Sequence, residues 1–262
     1  MIREKVATLL WYLERPPLYR ELARRVTKFR VTTQRERERA AADKEAGRAW
    51  CEANRAEHAD LLKDLGIDAP LETLAAAHPD WWQQAHEAVD ACPVKMGGPA
   101  ATDLLYHLAK HLPAKHVIET GVANGWSSLA FLSAMADNGG GKLISIDMPY
   151  AKMKNEAYVG CAVPHHLRGP SWSLRRLPDR DALPAAVAEL TPLDLAHHDS
   201  DKSYEGRMFV YDQCWDRLRA GGLMMSDDVE DNLAFRDFAG RVGRKAYVFY
   251  KKPGNYSGAL IK

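Results

Sequence analysis

The stretch HVIETGVANGWSS at residues 116–128, followed by LISID at residues 143–147, decides the fold. A short apolar run breaks into small residues, a helical pattern follows, and a second apolar run ends on Asp147. This order is typical of a β-α-β unit in which glycines let a nucleotide approach the backbone at a helix N-terminus. An acid at the end of the second strand then accepts hydrogen bonds from ribose hydroxyls. The two segments predict a nucleotide-binding α/β domain.

The glycine spacing indicates which nucleotide is bound. Residues 119–125 read E-x-G-x-x-x-G, whereas dinucleotide-binding folds carry G-x-G-x-x-G. The tight turn around a pyrophosphate is therefore missing, and the loop suits a cofactor without phosphates. S-adenosylmethionine is the candidate that meets this requirement. The pattern alone is weak, because many turns between a strand and a helix share it.

Short apolar runs alternate with helical patterns from residue 116 onward. The predicted strands are residues 117–119, 142–147, 172–174, 193–198, 222–227, 246–250 and 257–261. The predicted helices are residues 127–136, 182–190, 204–218 and 233–242. This alternation favours a mostly parallel sheet with helices on both faces, and a turn at residues 253–255 makes the last two strands a hairpin. The expected fold is α/β and Rossmann-like, with seven strands.

Residues 1–95 are predicted to form an α-helical extension that precedes a cofactor-binding domain at residues 96–262. The first helices carry apolar side chains on one face, and these must be buried against something. We expect the extension to cover the pocket of the substrate that accepts a group from the cofactor, to form a homodimer, or to do both. Thr32 or Thr33 is expected to cap a long charged helix that ends at Gly66.

Three carboxylates follow the fourth and fifth predicted strands. Asp199 comes after one strand, and Asp227 and Asp228 come after the other. The carboxyl ends of strands in an open α/β sheet face the ligand crevice, so these acids are expected to converge there. A bound Mg²⁺ would relieve their mutual repulsion. The alternative is that Asp227 and Asp228 cap the next helix or face water.

The blocks ETGVANGWSS, LISIDMP, HDSDKSYEG and GGLMMSDDV, in this order, resemble class I S-adenosylmethionine-dependent methyltransferases. They are similar in particular to bacterial natural-product O-methyltransferases that act on sugars and phenols, and more distantly to catechol O-methyltransferase. The resemblance covers about residues 95–262. It implies O-methylation of a small molecule, with antibiotic biosynthesis as one setting.

The resemblance also implies a cofactor site. Its residues would be Glu119, Gly121, Asn124, Gly125 and Ser127 at the methionine end, Asp147 at the ribose, and Asp179 and Arg180 beside the adenine. One departure is LPD at residues 177–179, where many members of the family have a glycine.

The resemblance further implies catalytic groups. Metal-dependent relatives place their three ligands at the positions of Asp199, Asp227 and Asp228. Lys202 stands where catechol-type enzymes carry a general-base lysine, although closer relatives often have histidine there. A nearby cation would lower the pKa of Lys202 and let it accept the proton of a metal-bound hydroxyl.

Composition and charge indicate which binding partners and which cellular compartment to expect. The formal net charge of +1 gives no reason to expect nucleic acid as a partner. The four cysteines are scattered without metal-binding spacing, which favours reduced thiols in a cytoplasmic protein. The first residues do not resemble a secretory signal, and no stretch is long and apolar enough to suggest a membrane span.

Three other functions compete with this interpretation. An NAD-dependent oxidoreductase would share the strand-loop-helix outline but would carry a dinucleotide glycine pattern. A nucleic-acid base methyltransferase would carry an [ND]-P-P-[YFW] motif where residues 199–202 read DSDK. A non-catalytic cofactor-binding scaffold would bind the nucleotide without turnover.

Overall fold

The computed structural model describes residues 2–27, 34–99, 101–151, 153 and 155–262. Within that part of the chain the strands are β1 (His116–Thr120), β2 (Lys142–Ile146), β3 (Trp172–Arg175), β4 (Leu193–His198), β5 (Leu218–Asp227), β6 (Tyr247–Lys252) and β7 (Asn255–Ile261). The helices of the N-terminal part are α1 (Ile2–Leu13), α2 (Tyr19–Thr27), α3 (Gln34–Ala53), α4 (His58–Asp64), α5 (Leu74–Ala77) and α6 (Pro79–Asp90). Those that follow are α7 (Thr102–His111), α8 (Trp126–Asp137), α9 (Asp179–Leu190), α10 (Tyr204–Trp215) and α11 (Ala234–Val242).

The strands form one sheet in the order β3-β2-β1-β4-β5-β7-β6. The first five strands in this order run parallel, and β7 pairs antiparallel with both β5 and β6. The strand order reverses between β1 and β4, and ligands bind at the carboxyl ends of strands beside such a reversal. The prediction of a Rossmann-like, seven-stranded sheet with a C-terminal hairpin is confirmed. The site is therefore sought at the ends of β1, β2, β4 and β5.

Two apolar cores cover the faces of the sheet, because successive side chains of a strand point to opposite sides. Val117 of β1 belongs to the core under α7 and α8, whereas Ile118 belongs to the core under α9, α10 and α11. Residues of the N-terminal helices enter both cores: Leu61 and Leu74 pack in the first, and Cys51 packs in the second. The helices α3 to α5 are thus packed onto the sheet.

The prediction of one long helix ending at Gly66 is wrong. The helix α3 stops at residue 53 and α4 begins at residue 58. Between them the backbone N–H of Ala56 donates to the carbonyl of Val248 at 2.8 Å, and Arg55 forms a bridge with the same residue of β6. Tertiary pairing therefore breaks a segment that has helical composition. Gly66 follows the end of α4 with φ +71°, and Thr32 and Thr33 lie outside the described residues.

The apolar face of the first two helices is largely uncovered in the single chain. Leu9 and Leu13 of α1 and Val26 of α2 are exposed. The predicted dimer would cover this face. Among the described residues, none of the helices combines the length and the apolar character needed to cross a membrane.

Candidate cofactor and methyl-transfer site

The loop between β1 and α8 depends on two glycines. Gly121 has φ +83°, and a Cβ built on it would lie 2.3 Å from the carbonyl oxygen of Asp199. Gly125 has φ +93°, and its Cβ would lie 2.8 Å from the Cα of Gly160. Both positions require left-handed backbone and close approach, which only glycine allows without strain. The loop is consequently pressed against the end of β4, and the N-terminus of α8 opens toward the crevice.

Asp147 follows β2, and one of its two carboxylate oxygens binds the backbone of this loop. Its Oδ2 accepts the N–H groups of Val122 and Ala123 at 2.8 and 3.0 Å. Its Oδ1 is buried and has no partner in the protein. Burial raises the pKa of Asp147, against the effect of the two N–H donors. One acceptor oxygen thus remains available to a ligand hydroxyl.

A cavity of about 770 Å³ opens beside Asp147. Its lining includes Gly121, Asp147, Asp179, Arg180 and Lys202. The helix α2 also contributes to the lining, through Glu21, Arg24 and Arg25. The cavity is large enough for a nucleoside with room to spare, since ligand pockets commonly measure about 300–1,000 Å³.

An ion pair joins α2, which lines this cavity, to α9. Both Arg24 Nη atoms donate to the carboxylate of Asp181 at the start of α9, at 3.0 and 2.5 Å. Arg24 also contacts Glu21 of its own helix at 2.9 Å. A bidentate contact of this kind fixes orientation as well as position. The N-terminal extension therefore forms a wall of the site.

The far end of the cavity carries the predicted adenine residues. Ser200 Oγ donates to Asp179 Oδ2 at 2.5 Å, and burial raises the pKa of Asp179 to about 6. The guanidinium of Arg180 lies over the ring of Phe209, 4.8 Å from its centroid. Both Asp179 and Arg180 face the same space as Asp147.

A second, smaller cavity of about 60 Å³ lies behind the glycine loop. Its lining includes Asn124, Trp126, Ser127, His197, Asp199 and Asp227. The Nε1 of Trp126 is buried without a hydrogen-bond partner, and the Nδ1 of His197 lies 3.9 Å from Glu119 Oε1. The amide of Asn124 donates to the carbonyl of Gly97 at 2.8 Å. Of the residues predicted at the methionine end of the cofactor, Asn124 and Ser127 line this cavity, whereas Gly121 lines the larger one.

Glu119 lies beneath the loop. Its Oε2 accepts the hydroxyls of Ser128 and Ser145 at 2.5 and 2.6 Å, and the residue is fully buried. Burial raises its pKa, against the pull of His197 and the serine hydroxyls. Glu119 lines neither of the two cavities just described, so its visible role is to support the loop from below.

The three predicted carboxylates meet two lysines at the ends of β4 and β5. We call this set, Asp199, Asp227, Asp228, Lys202 and Lys251, the aspartate–lysine cluster. Lys202 Nζ pairs with Asp199 and lies 3.0 Å from Asp228 Oδ2. Lys251 Nζ lies 3.0 Å from Asp227 Oδ2 and 3.4 Å from Asp228 Oδ1. Asp228 therefore bridges the two ammonium groups.

Both lysines of the cluster hold their protons. Burial lowers the pKa of Lys202, but Asp199 and Asp228 outweigh it, so the pKa lies above its ordinary value. The same balance raises the pKa of Lys251 beside Asp227 and Asp228. For Lys202 this is the opposite of the direction expected next to a metal ion, because its nearest charges are carboxylates.

The donor set of the cluster does not fit a divalent cation as it is arranged. Two ammonium groups already occupy contact positions on all three carboxylates, and Asn255 Nδ2 donates to Asp228 Oδ1 at 2.6 Å. Among the residues that the structure describes, no group of three or more His, Cys, Asp or Glu side chains is arranged to hold a metal ion. The predicted magnesium site has no support in this geometry.

Arg207 is a residue of the site that sequence reasoning missed. It lies on α10, is fully buried, and donates to the carbonyls of Asp227 and Asp228 at 2.9 and 2.6 Å. It also reaches the carbonyl of Lys202 at 3.3 Å and the hydroxyl of Ser226 at 3.1 Å. One guanidinium thus ties together the two loops that carry the cluster.

Residues 118–229 match the model of a methyltransferase domain. No curated protein matches the sequence. This segment therefore corresponds to a methyltransferase domain, and the resemblance noted in the sequence is confirmed at that level.

Solved structures share this fold at low identity. Cofactor-bound Rv0187 from MTB has a TM-score of 0.55 and 19% identity, over 72% of this chain and 92% of that one. An O-methyltransferase from Bacillus cereus in complex with SAH has a TM-score of 0.53 and 16% identity, over 81% and 100%. The SAH-bound methyltransferase PaMTH1 from Podospora anserina has a TM-score of 0.53 and 14% identity, over 90% and 99%.

Proposed function

We propose that the protein transfers the methyl group of S-adenosylmethionine to a hydroxyl oxygen of a small molecule. The observation that carries the proposal is a shared cavity. The unpartnered Oδ1 of Asp147 and the ammonium-bearing Lys202 line the same 770 Å³ space. A ribose bound at the first group would place the donor in the space that Lys202 also lines.

The donor would lie across the glycine loop. Its ribose hydroxyls would bond to Asp147 Oδ1, and its adenine would extend toward Asp179 and Arg180. Its methionine end would point to the smaller cavity, which Ser127 lines and where the unpartnered N–H of Trp126 is available as a donor. This arrangement assigns a partner to two buried polar atoms that otherwise have none, and such atoms are costly to leave unpaired.

The acceptor side needs alignment and the removal of a proton. Methyl transfer is a displacement in which oxygen, carbon and sulfur must lie in line, so fixed positions contribute much of the rate. A phenol with a pKa of about 10 keeps its proton at neutral pH. We assign the charged Lys202 to stabilising the negative charge that develops on the acceptor oxygen, and Asp199 to receiving its proton.

The wall formed by α2 suggests the chemistry of the acceptor. Glu21, Arg24 and Arg25 present charge of both signs to the cavity, and Tyr150 adds an aromatic surface. These groups suit a molecule that has a ring and further hydroxyls, such as a phenol or a sugar. The proposed acceptor is therefore a polar ring compound in the class of secondary metabolites.

Calorimetry followed by labelling tests this function. We expect S-adenosylhomocysteine to bind and NADH not to bind. With a donor that carries a ¹³C methyl group and a panel of phenols and sugars, NMR should show a methoxy signal in the product. Binding of NADH in place of S-adenosylhomocysteine would favour an oxidoreductase. Binding of the cofactor without transfer to any acceptor would favour a scaffold, and a signal for a methyl group on nitrogen or carbon would refute O-methylation.

A further inference from the structure

Lys251 reaches the aspartate–lysine cluster because of an irregularity in the C-terminal hairpin. Tyr250 pairs with Tyr256 and Lys252 pairs with Asn255, so the register shifts at Lys251. Extra residues of this kind redirect a side chain and are frequent beside active sites. The side chain of Lys251 is only 10% exposed, whereas its neighbour Lys252 is exposed. The hairpin therefore delivers one lysine of an adjacent pair into the site and leaves the other in solvent.

The position of Lys251 is the one that a divalent cation would need. Its Nζ lies between Asp227 and Asp228, at 3.0 and 3.4 Å from their nearest oxygens. Mg²⁺ binds oxygen at about 2.1 Å and requires near-octahedral geometry. The ammonium group of Lys251 already fills the contact position between the two carboxylates, and its charge repels a divalent cation.

The net charge of the cluster also argues against a bound divalent cation. With three carboxylates and two ammonium groups, the ionised cluster carries one net negative charge, and a bound divalent cation would make it positive. An ammonium group supplies three donors from a compact charge, so it neutralises neighbouring carboxylates without a metal. Lys202 alone cannot do this, since its ion pairs within the cluster are with Asp199 and Asp228 and not with Asp227.

We propose that Lys251 takes the place of a divalent cation in this site, holding Asp227 and Asp228 so that the methyl transfer proceeds without a metal. The part about transfer rests on the proposed function, and the part about metal binding does not. Lys251 is a positioning residue, because it acts through the two aspartates and lines neither cavity. Removing its charge should create a metal site where the wild type has none.

Titration with Mn²⁺, followed by electron paramagnetic resonance, tests the proposal without any acceptor. We expect weak binding to the wild type, with a Kd above about 1 mM. The variant Lys251→Met should bind Mn²⁺ at least tenfold more tightly, whereas Lys252→Met should behave like the wild type. Adding Asp227→Asn to Lys251→Met should abolish the gain.

Two outcomes overturn the proposal. One is binding of Mn²⁺ to the wild type with a Kd in the micromolar range that Asp227→Asn removes. The other is a folded Lys251→Met protein, checked by thermal unfolding, with no gain in binding. If Lys251→Met does not fold, Lys251→Gln serves in its place, and the wild-type titration decides by itself. In the transfer assay, EDTA should change wild-type turnover by less than twofold. A protein that transfers no methyl group fails the proposed function and leaves the Mn²⁺ result intact.

Discussion

The two halves of the crevice satisfy their polar groups in opposite ways. On the donor side, buried atoms are left without partners, namely Asp147 Oδ1 and Trp126 Nε1. On the acceptor side, the aspartate–lysine cluster pairs its charges internally. An unpaired buried group costs about 1–3 kcal/mol, so its presence indicates that a ligand completes it. A self-paired cluster instead provides a fixed charge pattern, and a substrate must adapt to it.

Replacing Gly121 with alanine should break the donor side most severely. The new Cβ would collide with the backbone of Asp199, and the left-handed backbone would be strained as well. We expect affinity for S-adenosylhomocysteine to fall at least 100-fold by calorimetry and the free energy of unfolding to fall by about 3 kcal/mol or more. Gly169→Ala is the control, since nothing lies within 4 Å of the position that its new Cβ would take. Equal affinity in both variants would contradict the assigned role of the loop.

Replacing Arg207 with methionine should break the acceptor side. The carbonyls of Asp227 and Asp228 would lose their buried donor, which should lower the free energy of unfolding by about 3 kcal/mol in urea titrations. Turnover should fall more than 50-fold, while affinity for S-adenosylhomocysteine should change less than threefold. Arg236→Met, at an exposed ion pair with Asp237, should change stability by about 0.5 kcal/mol or less. A parallel loss of cofactor binding would show that the two halves are not separable.

Replacing Asp179 with asparagine should change the pH dependence of stability. The native pKa of Asp179 is about 6, above the ordinary 3.8, so the native state holds this proton more strongly than the unfolded chain does. Its contribution to stability is therefore present at low pH and declines as the pH rises from about 4 to 6. The asparagine variant lacks this decline and should be more stable by about 3 kcal/mol at pH 7, with almost no difference near pH 3.5. Urea unfolding across this range measures it, and a variant less stable at pH 7 would contradict the raised pKa.

The sequence predicted the fold well where apolar runs and glycines coincide. The predicted strand at residues 193–198 matches β4, and the predicted helix at residues 127–136 lies within one residue of α8 at each end. It failed at residues 54–57, where no proline or glycine marks the end of α3. The break there comes from pairing with Val248, which is distant in the sequence. The amino-acid composition of residues 54–57 cannot predict a contact with such a distant residue.

The site was predictable in part for the same reason. Gly121, Asp147 and Asp199 follow strands, and the ends of parallel strands converge, so their neighbourhood could be inferred. Lys251 could not, because a lysine pair before a turn is typical of solvent-exposed chain and the register shift is visible only in the structure. Arg207 did leave a signal: it lies on one helical face with Val210, Tyr211 and Cys214. A lone arginine in such an apolar row indicates a buried guanidinium.

Replacing Asp147 with asparagine is the mildest change that separates the two halves. The amide oxygen of asparagine can still accept from Val122 and Ala123, so the loop should keep its shape. The amide NH₂ then replaces the unpartnered Oδ1, which removes the acceptor offered to the ribose hydroxyls. Affinity for S-adenosylhomocysteine should fall about tenfold, or about 1.4 kcal/mol, with the free energy of unfolding unchanged or slightly higher. Asp90→Asn, at an exposed position at the end of α6, is the control for the substitution itself. An unchanged affinity would mean that the ribose is held elsewhere, and that the unpartnered oxygen on the donor side does not mark the ligand.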